Sequence, residues 1–73
     1  MTKTEIILDC TIKALDILLR KYQSSDIIFD ELKSHSEIKI EFLTKNIQML
    51  SDLQTRNHAE DILNVYRQTI IRQ

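Results

Sequence analysis

The residues able to do chemistry are few in this chain of 73 residues: one cysteine, Cys10, two histidines, His35 and His58, and three carboxylate pairs, Glu5 with Asp9, Glu37 with Glu41, and Glu60 with Asp61. A metal site needs His, Cys or carboxylate ligands converging at characteristic spacings. Neither histidine has a second His, a Cys or a carboxylate set so placed, and both read as structural or surface residues. Cys10 lies on an apolar helical stripe, where a thiol behaves as a small hydrophobe instead of a nucleophile. Glycosidase or di-metal chemistry needs carboxylates facing one another across a pocket. These pairs fall on solvated helical stripes instead. The sequence therefore predicts no catalytic residue, no metal site, no bound cofactor and no small-molecule substrate: the chain is read as a non-enzyme.

The elements that carry these residues are helical. Gly and Pro are both absent, which removes the residues of tight turns, bulges and phosphate loops and leaves nothing that breaks a helix through its backbone. The 42% hydrophobic and 29% charged content is that of a globular domain, not of a disordered tail. One small domain, residues 1–73, is expected, near the lower size at which a core offsets conformational entropy.

Thr2 followed by Glu5 has the spacing of a capping box and predicts a helix start. From there apolar residues recur at Ile7, Cys10, Ala14, Leu15, Leu18 and Tyr22. Ile6, Leu8, Ile12, Ile17 and Leu19 widen the apolar side beyond what one neighbouring helix covers. Glu5, Asp9, Lys13, Asp16 and Arg20 form a charged stripe. The polar patch Gln23 to Asp26 allows either a helix end or a solvated middle. Ile28, Phe29 and Leu32 return to the phase of Ile7 and Ala14, favouring one long helix over about 4–33. On this reading Leu18→Asp abolishes folding or assembly.

Ser34 with Glu37 again has capping-box spacing, and Ser36 offers a second cap. A reversal there gives an antiparallel hairpin whose second arm covers about 36–72. That arm places Ile40, Leu43, Ile47 and Leu50 on one face, but Ala59, Ile62, Leu63, Tyr66 and Ile70 about 150° away. The slip predicts a kink or break near 54–58, with Asn57 and Glu60 as a cap. The fold expected is all-α, a small two- or three-helix bundle.

Hydrophobic residues in excess of one hairpin's core point to a protein partner or a homo-oligomer. Leu8, Ile12, Leu15 and Leu19 on the first helix, and Ile62, Val65, Tyr66 and Ile70 on the last segment, are the predicted contacts. Leu53 and Ile71 are further apolar residues hard to cover, and each large aliphatic buried contributes roughly 1.5–3 kcal/mol.

Net charge is −1, and both halves of the chain are balanced, so the basic patch of a nucleic-acid binder and the basic face of a membrane-surface helix are both missing. The alternative function, a small nucleic-acid-binding regulator using Lys45, Arg56 and Arg67, rests on a helix-turn-helix layout alone. Arg67 and Arg72 are otherwise explained by the helix dipole. A single cysteine, the lack of a signal-peptide pattern at the start and the lack of a long apolar run predict a cytoplasmic location.

The layout resembles the small co-chaperones of type III secretion needle subunits, the YscE-like family. The matching features are the long first helix, the polar turn at Ser34 to Glu37, and a second arm ending in Ala59-Glu60-Asp61-Ile62-Leu63-Asn64-Val65-Tyr66. The resemblance implies a bacterial cytoplasmic hairpin that docks on a helical-repeat chaperone and helps keep a needle subunit from polymerising. The first helix is more apolar than the family's pattern, and the slip at Gln54 to His58 departs from a straight second arm.

Overall fold

A computed structural model describes residues 2–71, with the main chain alone at Ile71. It is all-α: α1 spans Lys3–Gln23, α2 Phe29–Asn46 and α3 Leu53–Tyr66. A 3₁₀ turn, Ile47–Met49, joins α2 to α3, and a π-helical turn, Arg67–Ile71, follows α3. The described chain has extents of 35 × 19 × 19 Å. The all-α small bundle is present, with the second arm broken into two helices. The expected end of that arm, Arg72, lies outside the described residues.

α1 starts as the sequence predicts. The Glu5 amide donates to Thr2 Oγ1 at 3.1 Å, and the Thr2 amide donates to Glu5 Oε1 at 3.3 Å. These bonds to Thr2, the backbone one foremost, hold the Glu5 carboxyl below its usual pKa.

The first helix ends ten residues earlier than the phase of its apolar residues suggests. Ser25 adopts φ 65°, the left-handed region. Its amide donates to the Tyr22 carbonyl at 3.1 Å, while the Asp26 amide donates to the Lys21 carbonyl at 2.8 Å. That pair of bonds is a Schellman closure, with serine where glycine is usual. The chain reverses through Asp26 to Ile28 and enters α2. Ile28, Phe29 and Leu32 match the phase of α1 because the returning helix must also face the core. Leu32 is fully buried, and the Phe29 ring stands edge-on to Tyr22 at 6.3 Å.

Ser34 and Ser36 therefore lie inside α2 and cap nothing. Ser36 is fully buried, a small residue where larger side chains crowd, and its hydroxyl donates to the Lys33 carbonyl at 3.3 Å. The break in the second arm falls upstream of 54–58. Asp52, not Asn57, is the N-cap of α3, accepting from the Thr55 amide at 3.0 Å and the Thr55 hydroxyl at 2.6 Å. The Arg56 side chain fixes the connection by donating to the Leu50 carbonyl at 2.7 Å and the Gln48 carbonyl at 3.3 Å. Ser51 Oγ, donating to Glu5 Oε2 at 3.2 Å, ties the same connection to the start of α1. This turn rotates the face containing Ala59, Ile62, Leu63 and Tyr66 back onto the core, and so resolves the phase slip.

The core joins Leu8, Ile12, Leu15 and Leu19 of α1, Leu32 and Leu43 of α2, Leu50, and Ala59, Ile62, Leu63 and Tyr66 of α3. α1 thus buries a face offset from the expected Ile7, Cys10, Ala14 and Leu18. Both stripes have helical spacing, but the first contains four large aliphatics and the second contains Cys10 and Ala14. Burying the larger side chains removes more apolar area from water. Leu18 sits at the core's edge, half-buried. Leu15, fully buried, is the residue at the centre of the buried face.

Candidate interaction surface

Six of the eight predicted contact residues, Leu8, Ile12, Leu15, Leu19, Ile62 and Tyr66, are at most 9% exposed. In this structure they serve the chain's own core and offer nothing to a partner. Val65 is exposed, and Ile70 packs partly against the core. Tyr66 and Ile70 do share a small apolar pocket of about 180 Å³ with Glu37, Ile40 and Arg67. Exposed hydrophobic residues are present, but apart from Val65 and Leu53 they are not the predicted ones.

On α1, the exposed apolar residues Ile6, Ile7 and Ile17 lie with Cys10 and Ala14 on the side turned away from the buried face. Advancing about 100° per residue, the centre of this second stripe falls nearly opposite Leu8, Ile12, Leu15 and Leu19. The stripe borders a groove of about 450 Å³ between α1 and α2, lined by Ala14, Ile17, Leu18 and Ile27 with Lys21, Glu31, His35 and Lys39 around it. Its rim carries both signs of charge. Ile38, the most exposed aliphatic among the described residues at 79%, lies further along α2 beside Phe42. Sequence spacing names Ile7, Cys10, Ala14 and Ile17 as a helical face; it does not show that this face stays outside.

The charged stripe of α1 is local. Asp9 pairs with Lys13 at 3.0 Å and Asp16 with Arg20 at 3.2 Å, both one turn apart and largely solvated, a type of pair that contributes little to stability. The Asp9 carboxylate, by hydrogen bond and by charge, raises the Lys13 pKa. Asp9, Asp16 and His58 border an open depression between α1 and α3 that also includes Asp52. Among the described residues no group of three or more His, Cys, Asp or Glu is arranged to hold a metal ion. Glu41 pairs with Lys45 along α2 at 2.9 Å. Of the cations considered for nucleic acid, Lys45 is thus engaged by Glu41, Arg56 is tied to the α2–α3 connection, and Arg67 lines the pocket beside Ile70. None of the described helices is long and apolar enough to cross a membrane.

No family model matches the chain, and neither a curated protein nor a solved structure is significantly similar to it.

Proposed function

We propose that this chain is a protein-interaction module that works by being bound, through the outer apolar stripe of α1 and the adjoining α1/α2 groove. The observation that carries this is a helix apolar on two opposite faces, one buried in the core and the other exposed over Ile6, Ile7 and Ile17. Exposed apolar residues grouped in this way, with polar groups at the rim, favour a protein contact. The finer reading is a cytoplasmic co-chaperone or adaptor in bacterial type III secretion. It is supported by the chain's size and by the antiparallel α1/α2 pair, whereas the early turn at Ser25 and the separate α3 depart from a long two-helix hairpin.

Affinity purification from the native cell tests the proposal, with the unaltered chain and the Ile17→Glu variant as parallel baits. A protein retained by the first and lost with the second supports the reading. Equal capture by both baits refutes this surface.

A further inference from the structure

We propose that the turn at residues 24–28 is a hinge: it straightens to join α1 and α2 into one helix, and two copies of this chain then exchange their α2–α3 units. The observation behind this is a register that runs through the turn. Counting in sevens from Leu8 gives Leu15, Tyr22, Phe29, Ser36 and Leu43. Leu8, Leu15, Ser36 and Leu43 are fully buried, and Tyr22 and Phe29 are half-buried. A hairpin does not require its two arms to share one count across the turn, whereas a continuous helix that keeps one face against a partner does. No Gly or Pro stands between the arms to break such a helix.

The closed turn also carries costs that a straight helix relieves. Ser25 stands at φ 65°, a left-handed conformation disfavoured for any residue with a Cβ, and straightening returns it to ordinary helical backbone. Ile28 occupies the N-cap of α2 and makes no side-chain capping bond, at a position where Ser, Thr, Asp or Asn is usual. A continuous helix supplies the amides of Phe29, Asp30 and Glu31 with the carbonyls of Ser25, Asp26 and Ile27. Short connections under strain invite exchange between copies.

The occupant must be a second copy, because straightening lifts α2 and α3 off their own α1 and bares the core face of Leu8, Ile12, Leu15 and Leu19. Only the α2–α3 unit of another identical chain restores the same core. A twofold axis between Ser25 and Asp26 sets Tyr22 of one copy against Phe29 of the other, the pair that already meets edge-on at 6.3 Å in the closed chain. The same axis sets Leu15 against Ser36 and Leu8 against Leu43, and the bond from Tyr66 to the Leu15 carbonyl is remade between chains. Charge at the axis opposes the exchange: Asp26 approaches its own symmetry mate there, an exposed pair that salt screens. The closed monomer is thus the form at low concentration, and the exchanged dimer belongs to high concentration.

Refolding the full chain from urea at about 1 mM, the order of effective concentration that a short connection provides, followed by dilution and sedimentation, tests the proposal. The expected product is a dimer that persists on dilution, since separating it requires the core to open. Ser25→Ala favours the helix and Ser25→Gly favours the closed turn. The dimer's dissociation constant is expected to be at least about tenfold weaker for Ser25→Gly than for Ser25→Ala, two hinges changing per dimer. Ile17→Glu, on the outer face of α1, is expected to leave the dimer unchanged. Amide hydrogen exchange at Ile27 and Ile28 is expected to be slow in the dimer and fast in the monomer. A chain that stays monomeric in all variants overturns the proposal, as does a dimer indifferent to residue 25, one without protection at Ile27 and Ile28, or one dissociated by Ile17→Glu. None of these outcomes bears on capture of a partner through the outer stripe, which the parallel baits test separately.

Discussion

The phenol of Tyr66 donates a hydrogen bond to the main-chain carbonyl of Leu15, and both residues are sealed from solvent. This bond fastens the last residue of α3 to the middle of α1 across 51 positions of sequence. A buried hydroxyl without a partner is costly, so the bond fixes how α3 docks as well as stabilising it. Tyr66→Phe keeps the ring and loses the bond, which is expected to cost about 0.5–1.5 kcal/mol in urea unfolding. Tyr66→Ala also empties the core and is expected to cost about 3–5 kcal/mol. Equal stability of Tyr66→Phe and the unaltered chain would show that the bond is not made.

Burial, with a smaller contribution from the Asp16 charge, pushes the Tyr66 phenol up from 10.0 to about 12. The folded state therefore retains this proton where the unfolded chain releases it. The stability concerned is fully present below pH 10 and is lost as pH rises from there through 12, on the order of 2–3 kcal/mol in all. Unfolding free energy measured between pH 9 and 12 is expected to fall more steeply for the unaltered chain than for Tyr66→Phe. Parallel curves would assign the alkaline loss to other groups.

Ser25 holds φ 65° at the closure of α1, a conformation that costs a residue with a Cβ about 1–2 kcal/mol and glycine little. Ser25→Gly is expected to raise the melting temperature. The gain is reduced by glycine's larger entropy when unfolded, leaving at most about 1 kcal/mol. Ser25→Val is expected to lower the melting temperature, and the opposite order of the two variants would contradict the left-handed closure.

Asp52 begins α3, and its hydrogen bonds from Thr55, the side-chain one foremost, lower its pKa from the model-compound value of 3.8. The stabilisation is present above that value and is lost as pH falls through the lower folded value. Asp52→Asn retains a capping acceptor and is expected to remove this acid dependence while keeping most of the stability at neutral pH. Asp52→Ala is expected to lower the melting temperature at neutral pH and to fray α3, read as faster amide hydrogen exchange over its first turn.

The two faces of α1 are expected to respond differently to truncation. Leu15→Ala opens the core and is expected to cost about 2–5 kcal/mol. Ile17→Ala, at a position 54% exposed, is expected to change monomer stability by no more than about 0.5 kcal/mol. Chemical denaturation separates the two, and a large cost at Ile17 would assign it to the core.

What the sequence determined by itself was largely local. Thr2 and Glu5 specify the start of α1 through atoms three residues apart. The lack of Gly and Pro, together with helical spacing throughout, specifies an all-α chain, and the slip between Leu50 and Ala59 specifies a broken second arm. The tertiary structure decided which of two helical faces of α1 is inside, because both have the same period and only the docking of α2 and α3 distinguishes them. It also decided where the chain turns. Ser24 to Asp26 and Ser34 to Glu37 are both polar and both compatible with a cap, but only a turn at the first lets Leu32, Ser36 and Leu43 return along α1. The outer stripe of Ile7, Cys10, Ala14 and Ile17 was visible as a pattern in the sequence, while its exposure followed from the larger burial gained by Leu8, Ile12, Leu15 and Leu19.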